Sequence, residues 1–400
     1  MSLLANKRIV PVLMFHSVGL ENEKWEFSYI SEPVDLFQKK LECFVKQRFN
    51  TIFWNDLFGY MLGEKDLPNN SIMLTFDDGY LDNWVFVYPF LKRYGLKATI
   101  FVNPEFVDPG QEPRPNLEDV WAGRCDYRAL QSAGFLSWAE MRAMEASGLV
   151  DIQSHSLTHT WYYSGPKIID FHYPQETLPY PWLFWNKKPE RKAFYITENQ
   201  QEFLPYGHPV FEHEKALVVR RYFPDEKYVL QIVDYASSMG KDFYRKQGWK
   251  EELTKYSKEI LKSNKFEGHY ETPNERCERL REELSESKTL IQKKLNKQVN
   301  FICWPGGGYD ETVKSIARKV GYKAWTLSSR DLSSFRNLPK TNPENIKRMG
   351  TSNRINIKGH GNARGGAFYQ LLNIQAHQNS FLSKQVLRVY KIFSILTQRS

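Results

Sequence analysis

Two adjacent carboxylates, Asp77 and Asp78, follow an apolar run at residues 71–76 and precede Gly79. Neighbouring side chains on an extended backbone point in opposite directions. One carboxylate can therefore bind a metal ion while the other acts as a general base. An Asp-Gly pair also favours a surface turn, which is the simpler interpretation. Because the preceding run predicts a buried strand, we favour a functional position at the end of that strand.

The histidines of SHSLTH, His155 and His159, form a second group with chemical potential. Residues four apart face the same side of one helical turn, and this spacing suits tetrahedral zinc. Such a pair is more often not a metal site when it stands alone. With an aspartate from another strand as third ligand, two histidines and a carboxylate would leave a coordination position open for catalysis.

A third group is the turn FICWPGGGYD at residues 301–310. Its three glycines leave backbone N–H groups uncovered, so that these amides can meet a ligand or a developing oxyanion. The turn is not a phosphate loop, because no Lys-Ser or Lys-Thr pair follows it. The four cysteines, one of which is Cys303 in this turn, have no CxxC or zinc-knuckle spacing and are predicted to be reduced thiols.

Alternating strands and helices are predicted to position these groups. Strands are predicted at residues 9–15, 71–76, 97–102, 149–154, 299–303 and 322–327, and helices at 34–48, 84–94, 137–147, 273–295 and 310–320. Strand, helix and strand in succession indicate a parallel sheet, and the repetition indicates an α/β barrel or a doubly wound sheet. The three groups all follow strands, where α/β barrels carry their catalytic residues.

The alternation divides the chain into three parts. A barrel is predicted over residues 1–350, interrupted at 160–270 by an insertion rich in Pro, Trp and Tyr that would cover one mouth of the barrel as a lid. Residues 351–400 form a C-terminal extension with a basic amphipathic helix beginning near Phe381. This helix would either lie in a membrane interface or dock on the core.

Charge and hydropathy restrict the partners. The formal net charge is +9 and the pI is about 9.1, which fits acidic glycans, phosphate-bearing lipids or an anionic membrane surface. The basic residues are spread along the chain without a recognisable reading module, so nucleic acid is not an expected partner. No signal peptide or membrane-spanning stretch is recognised. We therefore expect a cytoplasmic protein, with peripheral contact at the inner membrane face through the tail.

The three groups together resemble a known family. TFDDGY, the HS-x-x-H pair and a late aromatic-Pro-Gly turn, in this order, resemble the NodB-type polysaccharide deacetylases of carbohydrate esterase family 4. LMFHSV near the N-terminus and CWPGGGY resemble the poly-N-acetylglucosamine deacetylase branch, as does the Ser-Lys-x-x-Ile pattern of Ser287, Lys288 and Ile291 in the helix before that turn. The resemblance extends from Val10 to about Met349, apart from the insertion.

The resemblance implies a distorted (β/α)7 barrel that removes N-acetyl groups from a glycan or a lipid-linked glycan precursor. By position, Asp78, His155 and His159 would bind the metal, Asp77 would be the general base, and the Gly306 amide would hold the oxyanion. Zinc is the first choice of metal, and another divalent transition metal is the alternative. Substrate contacts are expected from four further residues of the motifs and the strand that follows: Tyr80, Trp304, Pro305 and Trp325.

The sequence departs from the family pattern in two places. Cys303 stands where the family has an arginine that braces the catalytic aspartate, and Arg221 or Arg348 would have to replace it. The late Leu-x-His motif, which supplies the catalytic acid, is missing as well. His360 and His377 are the late histidines, and we assign the acid to His377.

Alternative functions remain open at this point. The same barrel could hydrolyse another amide or an O-acetyl ester, or the chain could be a non-catalytic relative that only binds glycans. His16 is expected either to point into the mouth of the barrel or to have a structural role.

Overall fold

A curled sheet of parallel strands forms the centre of the computed structural model, which describes residues 8–20, 22, 25–327, 336–351, 354–357, 361–378 and 380–397. Its strands, in chain order, are β1 (Val12–Phe15), β2 (Ser71–Phe76), β3 (Ala98–Val102), β4 (Val150–Ser154), β5 (Phe301–Ile302), β6 (Ala324–Thr326), β7 (Asn345–Ile346) and β8 (Met349–Gly350). They lie side by side in the order β7-β6-β5-β4-β3-β2-β1-β8, and a short strand, Asn50–Thr51, pairs with β2. β2 and β3 are buried along their whole length, as strands covered on both faces must be.

The barrel is open between its two edge strands. β7 and β8 lie at opposite ends of the strand order although only Lys347 and Arg348 separate them in the chain, and no pairing joins them among the described residues. Trp54, the first residue of helix Trp54–Leu62, packs inside the barrel. The other apolar side chains that fill the interior come from the strands and from the residues just before β1 (Val10, Val12, Met73, Phe101, Phe301, Ala324 and Ile346). The predicted distorted barrel is confirmed, with eight strands in the path.

Helices cover the outside of the sheet. Those around the barrel are Val34–Lys46, Trp54–Leu62, Tyr88–Tyr94, Leu117–Trp121, Trp138–Ala146, Pro273–Leu295 and Glu311–Val320, and a π-helix, Asn83–Val87, precedes Tyr88. Gly95 (φ 64°) and Gly321 (φ 93°) follow two of them in the left-handed conformation, and these helices end at residues 94 and 320, as predicted. Four of these helices begin at side-chain caps: Asn116, Ser137, Thr272 and Asp310 accept hydrogen bonds from backbone amides of the first turn.

The residues between 160 and 271 form a layer of their own beside the barrel. This layer contains a pair of antiparallel strands, Trp161–Phe171 and Pro209–Lys215. It also contains the helices Trp182–Lys187, Glu226–Ser238 and Trp249–Ser263. It has its own apolar cluster, which includes Phe171, Phe211, Tyr228, Ile232, Phe243 and Leu253. Two short strands, Tyr222–Phe223 and His269–Tyr270, pair near its end. The domain boundaries at 160 and 270 remain predictions.

The C-terminal residues add two helices and a ribbon. Helix Ala367–His377 packs on helix Val34–Lys46, and the last helix, Phe381–Thr397, packs on Ala367–His377 and on the antiparallel strands Arg354–Ile357 and Gly361–Arg364. Near the N-terminus, Ser17–Val18 pairs with Ser31–Glu32. Among the described residues, no helix combines the length and the hydropathy needed to cross a bilayer.

Candidate active site

A cavity of about 450 Å³ opens at the carboxyl ends of the barrel strands. It contains the residues that follow β1, β2 and β4, so the predicted groups from distant parts of the chain meet in one place. Its polar lining comprises His16, Asp77, Asp78, Asn103, His155, His159, Lys215, Thr326 and Arg348. The rest is mainly aromatic (Phe27, Tyr29, Tyr80, Phe106, Phe135, Trp161, Trp185, Tyr195 and Trp304).

Asp78, His155 and His159 converge in this cavity. The Nε2 atoms of His155 and His159 lie 3.2 and 3.3 Å from the Asp78 Oδ1 atom. The Nδ1 atom of His155 lies 2.8 Å from the Cys303 carbonyl oxygen, which fixes the proton on Nδ1 and leaves the Nε2 lone pair directed at the aspartate. The sequence therefore predicted correctly that these three side chains meet.

The backbone that brings them together differs from the one expected. His155 and His159 do not share a helical turn: residues 155–160 form an irregular loop after β4, in which Ser156 (φ 65°) and His159 (φ 42°) take the left-handed conformation. Asp78 is left-handed as well (φ 73°). Non-glycine residues held in this region cost of order 1–3 kcal/mol each and concentrate at functional sites.

The three residues fit a divalent metal ion. The Asp78 Oδ1 atom is buried and accepts no hydrogen bond of normal geometry from the described residues, although two imidazole nitrogens face it. Burial would raise the pKa of Asp78, but His159 and His155 hold it well below its usual value, so a negative charge persists at this point. A carboxylate with two neutral imidazoles is a donor set that zinc and related ions accept.

A second cluster, Asp77 with His155 and Cys303, also has ligand atoms within 4.8 Å of one another. Arg348 occupies this cluster. Its guanidinium donates to both Asp77 oxygens, at 2.6 and 2.8 Å, and to the Cys303 sulfur at 3.0 Å. A metal ion would have to displace the buried Arg348 guanidinium from this cluster. The set of Asp78, His155 and His159 is therefore the better metal site.

Arg348 replaces the arginine that the sequence lacks at position 303. Asp77 is buried, and burial would raise the pKa of its carboxyl group. The ion pair with Arg348, aided by His155 and His16, instead lowers this pKa below its usual value. The small Cys303 side chain leaves the space that the guanidinium fills. The other arginine considered, Arg221, stacks on Tyr162 and Phe223 in the insertion and is not in the cavity.

The glycine-rich turn borders the same cavity through Trp304, Gly306 and Gly307. The amides of Gly307 and Gly308 donate to carbonyl oxygens within the turn, whereas the Gly306 amide has no partner among the described residues. Gly306 is left-handed (φ 54°), and a Cβ atom there would lie 2.8 Å from the Lys215 side chain. The amide predicted to bind an oxyanion is therefore at the cavity and available.

Two predicted substrate contacts need correction. Trp325 does not line the cavity: it is buried in the layer between sheet and helices, where its Nε1 atom donates to the Asn345 Oδ1 atom. Side chains alternate across a strand, and on β6 it is Thr326, followed by Leu327, that lines the cavity. Pro305 is buried in the turn and does not line the cavity either. Tyr80 does, and it stacks on Phe135 with ring centroids 5.3 Å apart.

The assignment of the catalytic acid to His377 is also corrected by its position. His377 ends a helix on the outside of the barrel, and the next residue, Gln378, lines a separate cavity with Val10 and Ser71 at the amino ends of the strands. Burial and nearby positive charges lower the pKa of His377 to about 4. His360 lies outside the described residues. His16 does line the cavity, with its Nε2 atom 3.8 Å from the Asp77 Oδ2 atom.

Apart from Tyr80 and Trp304, the aromatic wall was not predicted residue by residue. Trp161, Trp185 and Tyr195 come from the insertion and Tyr29 from the segment after β1. The density of Trp and Tyr in the insertion was the available signal. Which of those rings face the cavity depends on how the insertion folds over the barrel.

Comparison with known proteins agrees with this geometry. The sequence profile of the polysaccharide deacetylases matches residues 64–208 and 257–325, more than half of the chain.

The chain belongs to the polysaccharide deacetylase family.

The family membership inferred from the motifs is thus confirmed. Among its curated relatives is the polysaccharide deacetylase YxkH of Bacillus subtilis strain 168, which is 31% identical over 93 residues, or 23% of this chain and 31% of YxkH. Another is the poly-beta-1,6-N-acetyl-D-glucosamine N-deacetylase of Escherichia coli K12, 30% identical over 94 residues, or 24% of this chain and 13% of that protein. The matches span less than a third of either relative.

Solved deacetylase structures share the fold over most of the chain. A de-N-acetylase from Aggregatibacter actinomycetemcomitans aligns with a TM-score of 0.51 at 18% identity, covering 85% of this chain and 94% of that one. The BpsB deacetylase domain from Bordetella bronchiseptica aligns with a TM-score of 0.50 at 21% identity, covering 85% and 95%. At these identities the alignments establish the barrel and nothing finer.

Proposed function

We propose that this deacetylase family member hydrolyses the N-acetyl group of an acetamido sugar in a glycan or a lipid-linked glycan precursor, with the help of a divalent metal ion. The observation that carries the proposal is the joint geometry of the two aspartates. Asp78 faces two histidines, whereas Asp77 faces an arginine, all within one cavity walled by aromatic rings. Two neighbouring carboxylates thus have different partners and different tasks.

Asp78, His155 and His159 would hold the metal ion. A divalent ion bound there supplies a Lewis acid for the acetamide carbonyl and lowers the pKa of water. The hydrogen bond between His155 Nδ1 and the Cys303 carbonyl oxygen keeps the ring in the tautomer that a ligand needs. Zinc remains the first choice because the donor set is two nitrogens and one oxygen.

Asp77 would act as the general base. Its two hydrogen bonds from Arg348 keep the carboxylate ionised and hold it in one orientation. In this state it can accept a proton from the water that attacks the carbonyl carbon. The Gly306 amide would donate a hydrogen bond to the oxygen that becomes negatively charged.

The leaving amine needs a proton, and we assign its delivery to His16. Three histidines line the cavity within the described residues, and two of them are the proposed ligands. His16 is the third, and it is part-exposed beside Asp77. A histidine side chain within reach of the leaving group can donate a proton as a general acid.

The aromatic walls support a sugar substrate. Rings present flat apolar faces with polar edges, which suits the apolar faces of a pyranose. The name of the Escherichia coli relative, a poly-N-acetylglucosamine N-deacetylase, supports the same class of substrate. A cytoplasmic location, and with it a precursor rather than a finished polymer, remains a prediction.

The test is metal content and acetate release measured together. Wild type, Asp78→Ala, Asp77→Asn and His16→Gln are compared on a panel of acetamido oligosaccharides, acetyl esters and a non-sugar amide. We expect wild type to bind one divalent ion and release acetate from the acetamido sugars. Asp78→Ala is expected to lose both properties. Asp77→Asn and His16→Gln are expected to keep the metal and lose acetate release by about 10²-fold or more.

Other outcomes would change the assignment. Acetate release from esters alone would make the protein an esterase on the same barrel. Metal binding without hydrolysis of any acetamido sugar would favour a relative that only binds glycans. If wild type bound no metal, the proposed chemistry would be wrong.

A further inference from the structure

The positive charge of the chain is concentrated after Glu344, its last acidic residue. Residues 345–400 contain nine Lys and Arg and no Asp or Glu, which equals the formal net charge of +9 of the whole chain. The preceding residues therefore hold equal numbers of basic and acidic side chains. Although basic residues occur throughout the sequence, the excess of basic over acidic residues lies in this one segment, in which Arg348 is paired with Asp77.

The last helix of this segment has apolar side chains on its outward face. A helix on the surface of a soluble domain normally turns its apolar stripe to the core. In Phe381–Thr397, Ser383 and Ser394 are buried, whereas Leu382 and Val389 are 72% and 68% exposed. Leu382, Val386 and Val389 follow the spacing of four and three residues that places side chains on one helix face. An apolar face therefore points outward, in addition to Leu387 and Tyr390, which are half-buried on the inward side.

The exposed apolar side chains form a cluster rather than isolated examples. Seven of the sixteen large apolar side chains that are exposed in the described part of the chain lie between residues 368 and 393 (Phe368, Phe381, Leu382, Val386, Val389, Ile392 and Phe393). Single exposed apolar residues are normal on soluble proteins, but contiguous patches mark interaction surfaces. Arg388 and Lys391 lie within the same helix.

We propose that this surface, the outward face of Phe381–Thr397 with Phe368, binds an anionic lipid bilayer. The combination of exposed Phe, Leu, Val and Ile with Arg388 and Lys391, on a helix that contains no acidic residue, is the pattern of a helix that lies in a membrane interface. Charge argues against self-association, since two copies would bring two positively charged helices together. A nucleic acid is a less suitable partner, because its phosphates would bind the basic side chains but would leave the apolar face exposed to water. The inference does not depend on the proposed hydrolase activity.

The test is flotation of the chain of residues 1–400 with vesicles of phosphatidylcholine, with and without phosphatidylglycerol. Wild type is expected to float with the anionic vesicles, less at high salt, and to remain behind with neutral ones. Arg388→Gln/Lys391→Gln should weaken partitioning about 30-fold, at roughly fivefold for each basic residue. Leu382→Ser/Val389→Ser should weaken it at least about tenfold, because the apolar contact is lost.

A matched control uses residues of the same types elsewhere on the surface. Leu230 is 57% exposed and the Arg245 side chain 85% exposed, both in the insertion, so Leu230→Ser/Arg245→Gln should float like wild type. Circular dichroism and thermal unfolding show whether each variant is folded. The proposal is overturned if folded tail variants float like wild type. It is also overturned if wild type floats equally with neutral vesicles, or if sedimentation shows a dimer that Leu382→Ser/Val389→Ser dissociates and no vesicle binding.

Discussion

Replacing Arg348 by Met tests whether this arginine maintains the ionised state of Asp77. The Asp77 and Arg348 side chains are 4% and 8% exposed, and two hydrogen bonds join them. Removing one member of such a buried pair leaves a desolvated charge and costs about 3–5 kcal/mol. Methionine keeps much of the side-chain length without the charge. We therefore expect Arg348→Met to lower the free energy of unfolding by this amount at neutral pH.

A double-mutant cycle separates the ion pair from packing. Asp77→Asn removes the charge on the other side, so the double variant leaves neither charge buried alone. The cost of Arg348→Met should then fall, giving a coupling energy of about 2–4 kcal/mol. Urea unfolding after removal of metal by a chelator measures all four proteins. Arg221→Met is the matched control, because Arg221 stacks on Tyr162 and should show no coupling to Asp77.

The pH dependence gives a second check. In wild type the pKa of Asp77 is lowered, so its stabilisation is present above the unfolded pKa, about 3.9, and is lost as pH falls through the folded pKa. Without Arg348, burial raises this pKa, and the variant gains stability as its carboxyl group takes up a proton. The deficit of Arg348→Met should therefore narrow towards acid pH. The reasoning would be refuted if Arg348→Met lowered the free energy of unfolding by less than about 1 kcal/mol at neutral pH. It would also be refuted if the effects of Arg348→Met and Asp77→Asn added in the double variant to within about 0.5 kcal/mol.

Three further predictions concern other parts of the site and its surroundings. Burial raises the pKa of Asp82 to about 7. The protonated carboxyl group therefore stabilises the folded state, fully so below the unfolded pKa of about 4. This stabilisation, about 4 kcal/mol, is lost as pH rises through 7. Urea unfolding across this range should show the loss in wild type and not in Asp82→Asn. Gly306→Ala should reduce acetate release by about 10²-fold or more if its amide binds the oxyanion, because alanine is strained at φ 54° and would shift that amide. Gly308→Ala controls for the contact with Lys215, since its Cβ atom would lie 2.7 Å from that side chain at an ordinary φ of −86°, and it should reduce acetate release less. An equal loss in both variants would assign the effect to Lys215 and not to the amide. Removing the metal with a chelator should lower the Tm of wild type, because a metal ion present at 100 times its Kd stabilises the folded state by about 2.7 kcal/mol. The control His269→Gln should respond in the same way, whereas the Tm of Asp78→Asn should not change. If the chelator lowered the Tm of Asp78→Asn as well, the metal would bind elsewhere.

Local pattern determined much of the fold and of the site. The buried run of residues 71–76 ends at the carboxylates in the structure as in the sequence, and Gly95 and Gly321 end their helices. These features depend on a few neighbouring residues and on periodicity, which the sequence displays directly. The convergence of Asp78 with His155 and His159 was also predictable, because parallel strands end at the same side of a sheet.

Other assignments depended on spatial neighbours that no local pattern contains. Arg348 reaches Asp77 across 271 positions, and it does so because β7 and β8 form the open edges of the barrel with Arg348 between them. The register of β6 turned Thr326 inward and Trp325 outward, and a shift of one residue would have reversed them. The His377 side chain could donate a proton, but it lies near the amino ends of the barrel strands, away from the cavity at their carboxyl ends.

The sequence by itself determined the family, the parallel barrel and the four residues Asp77, Asp78, His155 and His159, because these follow from short motifs at strand ends. Only the tertiary structure decided which arginine pairs with Asp77, which histidine lies beside it and which aromatic rings of the insertion wall the cavity. The physical reason is that such partners are chosen by distance and direction. Strand order, register and the path of the insertion set these distances through contacts between residues far apart in the chain.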